Sequence, residues 1–230
     1  MQVAILAGGL GMRLGDVTRT RPKSMVEIEG RPFLEYQLEL LRKGGIEDVV
    51  LCIGHLGEQI ERYFGDGSRF GVNLRYSRES QPLGTAGALR QAEGLLQDPF
   101  FVMYGDCYLF LDFAAVMDYF QSRDKLALMT VYRNQDRYDR SNTVIDGELV
   151  RGYSKQGKSE GMDYIDYGAS IFRKEALGMI PPGRFSALED ILPRLIEAGE
   201  VLAFEVRERF YEIGSPQGLK EFEEYVRARK

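Results

Sequence analysis

Arg13 and Lys23 stand at the two ends of a short segment that carries three glycines within four positions, Gly8, Gly9 and Gly11. The segment follows the apolar run Val3-Ala4-Ile5-Leu6 and reads Leu6-Ala7-Gly8-Gly9-Leu10-Gly11-Met12-Arg13-Leu14, with Pro22-Lys23 after a gap. Glycine has no Cβ and reaches positive φ at low cost, so its backbone can lie directly against a ligand. Successive exposed amides then form a concavity that holds phosphate oxygens. With fixed positive charge at either end, the segment predicts a loop that holds a polyphosphate. A carboxylate is available to complement it. Asp106 follows the apolar run Phe100–Tyr104 and Gly105, so it leaves a strand end where such a ligand would lie. Mg²⁺ takes carboxylate and phosphate oxygens and keeps several waters, so one or two acids suffice to place it.

Two common phosphate loops do not fit. A Walker A loop places Lys and Ser/Thr directly after a glycine, whereas Lys23-Ser24 follows Pro22. A dinucleotide fingerprint needs a third glycine where Leu14 stands, and a helix where Pro22 falls. The remaining pattern, Gly8-Gly9-x-Gly11-x-Arg13 followed by Pro22-Lys23, resembles the signature of the sugar-nucleotide pyrophosphorylases, the nucleoside triphosphate:sugar-1-phosphate nucleotidyltransferases. Taken alone, the glycines fit an ordinary strand-to-loop turn equally well.

The resemblance implies further roles. Gln81-Pro82-Leu83-Gly84-Thr85-Ala86-Gly87 resembles the family's nucleobase segment. A glutamine amide both donates and accepts, which suits a base edge, and the small residues Gly84, Ala86 and Gly87 would let the base lie against the backbone, with Thr85 also among the expected nucleotide-binding residues. Phe210-Tyr211-Glu212-Ile213-Gly214-Ser215-Pro216 resembles the late segment whose aspartate completes the magnesium site, with glutamate in its place. The added methylene moves the carboxylate outward, so the site must shift, bridge through water or favour another metal. Lys155 matches the lysine that binds the sugar phosphate, while Ser154 stands where an acid often contacts sugar hydroxyls. Asp166, Tyr167 and Gly168, on the strand that would follow, are expected to line the sugar pocket. Together these imply in-line attack of a sugar 1-phosphate on the α-phosphorus of a nucleoside triphosphate with Mg²⁺ as cofactor. Arg13 and Lys23 serve as the catalytic cations, and Asp106 and Glu212 as metal acids. Among short members, Pro22-Lys23-Ser24-Met25 and Phe185-Ser186-Ala187-Leu188-Glu189-Asp190 resemble heptose-1-phosphate guanylyltransferases, and Gly65–Gly71 resembles muramate-1-phosphate uridylyltransferases. Uridylyl or cytidylyl transfer, and a nucleotide-binding regulatory relative, stand as alternatives. A dehydrogenase is disfavoured by Leu14 and Pro22.

The elements that must position these residues alternate through the first half. Apolar runs at 3–6, 49–53 and 100–104 read as buried parallel strands, and 72–76 alternates as a strand. Helical spacing appears over 33–41, 57–64 and 85–96, the last with Thr85 as cap. This pattern predicts an α/β, Rossmann-like three-layer sandwich: a mainly parallel sheet with helices on both faces. In such sheets ligands sit beyond the carboxyl ends of the strands, where the glycine loop and Asp106 both fall. The second half is richer in strand signals, at 126–132, 143–150, 165–172, 202–206 and 210–213. It reads as a β-rich lobe inserted over the sheet, within a single domain whose nucleotide half is 1–125. Ser186-x-x-Glu189 has the form of a capping box, and Ser215-Pro216 opens the last helix.

Composition constrains the partners. A net charge of −5 with both signs interspersed gives no basic field for nucleic acid. No apolar run is long enough to cross a membrane, and no secretory leader precedes Gly8, which leads to a cytoplasmic expectation. Cys52 and Cys107 form no C-x-x-C pair. His55, the one histidine, has no partner cluster and reads as a loop residue. Monomer and homo-oligomer stay equally open.

Overall fold

Apolar runs buried on both faces need helices above and below them, and that requirement organises the first half of the chain. The computed structural model describes residues 1–9, 11–155 and 161–229; the side chains of Met12, Asp16 and Val17 also lie outside the description. Leu10, within the glycine segment, is therefore not placed.

In chain order the elements are β1 (Gln2–Leu6), β2 (Glu27–Ile28), β3 (Arg31–Pro32), α1 (Phe33–Lys43), β4 (Asp48–Ile53), α2 (Gly57–Phe64), β5 (Asn73–Arg78) and α3 (Gly84–Ala92). They continue as β6 (Phe100–Tyr104), β7 (Cys107–Tyr108), α4 (Phe113–Gln121), β8 (Ala127–Arg133), β9 (Thr143–Asp146), β10 (Leu149–Tyr153) and β11 (Tyr164–Phe172). The chain closes with α5 (Lys174–Leu177), α6 (Leu188–Glu197), β12 (Val201–Val206), β13 (Tyr211–Glu212) and α7 (Pro216–Arg227). Among the described residues, one sheet runs β5-β4-β1-β6-β11-β8-β12-β10-β9. Its first four strands are parallel. α1, α2 and α4 pack on one face through Leu34, Leu38, Leu41, Ile60, Phe64, Phe113 and Phe120. α3 and α6 pack on the other through Ala86, Leu89, Leu188, Ile191 and Leu195.

Beyond β6 the sheet becomes mixed, because β11 joins β6 and β8 antiparallel. The second-half strands thus extend the first sheet edge to edge rather than lying over it. β9 pairs with β10 and, at Tyr164↔Thr143, also with β11, so the last strands curl back on the sheet. A register break in β11 between Asp166 and Ser170 allows this: the first part of the strand pairs with β9 and the second part with β6.

Two helix starts differ from the sequence reading. Thr85 does not cap α3; its Oγ1 accepts from Leu188 N at 2.8 Å, at the start of α6. The N-cap of α6 is Ala187, one residue later than the Ser186 box. Ala187 has no side-chain oxygen, so Thr85 supplies one from the first turn of α3, while Asp190 accepts from Ala187 N at 2.9 Å. Ser215 does cap α7, accepting from Gly218 N at 3.0 Å, with Pro216 in the first turn.

A third, smaller core holds the last helix. Leu14, Val26, Ile28, Phe33, Ile213 and Phe222 pack together, all buried. Leu14, the residue that breaks the dinucleotide pattern, is therefore an anchor that fixes the glycine segment to β13 and α7.

Candidate active site

β1 lies between β4 and β6 in the sheet although β4 follows it in the chain, so the crevice where strand order reverses opens beyond its carboxyl end. A cavity of about 750 Å³ occupies this place. Leu6, Ala7, Gly8, Gly9 and Gly11 line it after β1, and Gly54 and His55 after β4. Glu79, Gln81, Gly84 and Thr85 line it after β5, and Gly105 and Asp106 after β6, with Lys23 at one side. Gly87 is not part of this lining. A Cβ there would meet Arg184 O at 2.9 Å, so its smallness serves the packing of α3 on the 184–186 segment.

The three loop glycines also separate by role. A Cβ on Gly8 would press on Gly54 N at 3.2 Å and Glu79 Oε1 at 3.1 Å; Gly11 has φ +63° and would strike Thr18 Cγ2 at 2.8 Å. At Gly9 nothing of the described protein lies within 4 Å of that position, so it faces open space at the cavity wall. Across the cavity, Glu79 accepts from Leu83 N through Oε2 at 2.9 Å. Burial pushes its carboxyl above the usual range, opposed by that hydrogen bond.

The charged residues converge at the other end. Lys23 Nζ is ion-paired with Asp106 Oδ2. Ile213 N donates to Asp106 O at 2.9 Å, and Glu212 pairs with Cys107 across the β7–β13 ladder, which sets the two acids side by side. A side chain at Gly214 would collide with the Glu212 carboxylate, with Arg13 Nη2 at 2.7 Å and with Lys23 Nζ at 2.9 Å. Arg13, Lys23, Asp106 and Glu212 thus form one cluster around a position that has to be glycine. The longer side chain of Glu212 folds back on its own turn, where Oε2 accepts from Gly214 N at 2.6 Å and Oε1 from Ser215 Oγ at 2.7 Å. The donor set of two carboxylates and no soft ligand suits a hard divalent cation. The neighbouring Cys107 is no thiolate: burial first, then Asp106, pushes its thiol well above the ordinary value.

On the far side of Tyr104 the residues are bound to one another. Lys155 Nζ lies 2.6 Å from Glu189 Oε1 and 4.8 Å from the centre of the Tyr104 ring. Asp166 accepts from Gly168 N at 3.0 Å and from Tyr104 Oη at 3.5 Å. Its carboxyl is raised by burial, with Lys155 pulling it back. Gly168 has φ +103° and lies against Cys107 Sγ, which accommodates the break in β11. Tyr167 is fully buried, and its hydroxyl bonds the backbone of Phe110 at 3.0 and 3.3 Å, so its side chain belongs to the core.

A family model described as nucleotidyl transferase matches residues 2–228. The chain belongs to that family. D-glycero-alpha-D-manno-heptose 1-phosphate guanylyltransferase of Aneurinibacillus thermoaerophilus is 32% identical over 237 residues, covering 98% of this chain and 100% of the relative. UTP--glucose-1-phosphate uridylyltransferase of a Synechocystis species is 31% identical over 86% of this chain. The match spans only 56% of that longer relative. HddC from Yersinia pseudotuberculosis complexed with GMP-PN superposes with a TM-score of 0.81 at 27% identity, covering 98% of this chain and 99% of HddC.

Glu79, Tyr104 and Glu189 escape a sequence reading of this family member. Glu79 sits in Arg78-Glu79-Ser80, which looks like a solvated strand end, and Tyr104 reads as the last residue of an apolar strand. Glu189 carries a signal, as the acid of the apparent capping box, but that signal points to helix geometry rather than to Lys155. None of the described helices is long and apolar enough to cross a membrane.

Proposed function

We propose that the chain joins a nucleoside triphosphate to a sugar 1-phosphate, giving an NDP-sugar and pyrophosphate. The observation that carries this reading is the Arg13–Lys23–Asp106–Glu212 cluster, whose Lys23 and Asp106 line the same cavity as Glu79 and Gln81. A phosphate oxygen of the sugar 1-phosphate attacks the α-phosphorus, the bond from that phosphorus to the bridging oxygen breaks, and pyrophosphate leaves. The attacking oxygen is already ionised at neutral pH, so positioning and charge neutralisation supply the catalysis. The Gly8–Gly11 amides cradle the triphosphate, and Arg13 draws charge on the departing β and γ groups. Lys23 exchanges its contact with Asp106 for the α-phosphate, and Lys155 holds the incoming phosphate. Asp106 and Glu212 would hold Mg²⁺, which when bound neutralises charge on the phosphates.

The base in this reading is guanine. Its N1–H and N2–H₂ are adjacent donors, and a carboxylate, which is acceptor-only, matches them. Glu79 offers Oε1, which among the described residues takes no hydrogen bond. The two heptose 1-phosphate guanylyltransferases that match nearly end to end support the same base. A second reading, nucleotide binding without turnover, rests on the Glu212 carboxylate being satisfied by its own turn. Pyrophosphate release should be measured with each of the four triphosphates against mannose and heptose 1-phosphates, with Mg²⁺ and with EDTA. Release with GTP and Mg²⁺ is expected. Tight GTP binding without release in any combination would select the second reading, and release with a pyrimidine triphosphate alone would overturn guanine.

A further inference from the structure

Phe185 is 68% exposed, more than any other large apolar side chain among the described residues. A single exposed apolar residue on a surface needs no explanation, but this one stands on the rim of the donor cavity. Its ring lies over Gly84: a Cβ there would meet Phe185 Cε2 at 3.2 Å and Ser186 O at 2.6 Å. Gly84 has φ +74° and opens α3, directly after the Gln81–Leu83 turn.

The backbone that carries Phe185 is tied to this turn. Ser186 N donates to Leu83 O at 2.8 Å; Ala86 N and Gly87 N donate to Ser186 O at 2.9 and 3.0 Å; Leu188 N donates to Thr85 Oγ1 at 2.8 Å. Thr85 therefore forgoes capping its own helix to hold the Phe185 segment in place. An aromatic ring held against Gly84 at the cavity wall, with most of its surface left in solvent by the protein's own packing, is a stacking surface for a planar ligand.

We infer that Phe185 is the stacking platform for the nucleobase of the donor and that it favours purines over pyrimidines. The inference rests on the donor cavity binding a nucleoside triphosphate, and it adds the element that selects ring size. Glu79 reads the hydrogen-bonding edge of the base, whereas Phe185 reads its face. Stacking strength grows with overlapping area, so the larger purine gains more from the ring, whatever its exocyclic groups.

The test is calorimetric titration of wild type with each of the four nucleoside triphosphates and inorganic tripolyphosphate, and of Phe185→Ala, Phe185→Leu and Phe185→Trp with GTP, CTP and tripolyphosphate, all without sugar 1-phosphate. Phe185→Ala should weaken GTP by about tenfold, on the scale of one base–aromatic stack. It should weaken CTP less and leave tripolyphosphate, which has no base, unchanged. Phe185→Trp should retain GTP affinity, and Phe185→Leu should fall between Trp and Ala. Equal GTP affinity in wild type and Phe185→Ala overturns the inference. So does an equal loss for tripolyphosphate, which would show that the ring acts by shaping the loop. Sedimentation of the same variants covers the remaining role of an exposed aromatic: loss of self-association with GTP affinity intact would make Phe185 a contact between copies and overturn the platform. A wild type that binds tripolyphosphate but none of the four nucleoside triphosphates would instead remove the donor reading itself.

Discussion

The donor side and the Lys155 side of Tyr104 are built in opposite ways. On the donor side part of the lining is left free among the described residues, with an open volume, nothing within 4 Å of a Cβ at Gly9 and a Glu79 oxygen without a partner, while Lys23 is held by Asp106. On the Lys155 side the groups are spent on each other, with Lys155 on Glu189 and Asp166 on Gly168 and Tyr104. A preformed cavity binds without first breaking internal contacts. A self-satisfied cluster must exchange those contacts for the ligand. In the proposed reaction this contrast would have the nucleotide enter first and the phosphate acceptor admitted by exchange.

The largest effect expected from breaking this arrangement lies where the two sides meet. Lys23→Ala or Asp106→Ala should lower turnover by about 10²–10³, the usual cost of one preorganised charged group, with folding retained in circular dichroism. Turnover within a factor of a few of wild type would remove the cluster from the chemistry. Next, the glycines of the donor loop should separate. Gly11→Ala places a side chain at φ +63° against Thr18 and should cost about 1–2 kcal/mol. Thermal unfolding would register this as a drop of several degrees. Gly9→Ala should unfold at the wild-type temperature yet bind triphosphate more weakly, because its Cβ enters the ligand's space. The reverse order would mean that Gly9 serves the fold.

On the acceptor side, Glu189→Gln removes the internal competitor of Lys155. Both partners are about a third exposed or more, so the pair belongs with surface ion pairs of at most about 1 kcal/mol. The KM for sugar 1-phosphate should fall by up to about fivefold while that for the triphosphate stays put. A rise instead would make Glu189 a ligand of the sugar. The smallest effect concerns Glu79. Burial raises its carboxyl above the unfolded value, so the folded state holds the proton more tightly. That contribution to stability is lost as pH rises through the folded pKa. Glu79→Gln should therefore unfold at a slightly higher temperature than wild type at pH 7, with the gap closing below about pH 4, and should lose GTP affinity. A gap that does not change with pH would show that Glu79 is not strained by burial.

Much of this arrangement is legible from local rules. Buried apolar runs and Ser215-Pro216 before a helix are signals within a few residues, and they match β1, β4, β6 and the start of α7. What was misread depends on segments far apart in the chain. Thr85 and Ser186 each look like caps of their own helices, yet the oxygen missing at Ala187 is supplied across 103 residues. Tyr167 looks like a pocket residue by position, but a β-strand alternates faces and the break at Gly168 decides which face each residue takes. α4, capped by Asp112, carried no signal that was read, although Phe113, Val116, Met117 and Phe120 keep a helical period.

The sequence by itself determined the strand–helix alternation, the glycine-rich loop after β1 and the acid at the end of β6, because these follow from backbone freedom, periodicity and charge over short spans. Only the tertiary structure decided which glycines are held by close neighbours and which face open space. It also decided that Glu212 turns back on the start of α7, that Lys155 rests on Glu189 and that the Phe185 ring lies against Gly84. Each of these depends on distances between segments brought together by the buried core, and no local pattern encodes such a distance.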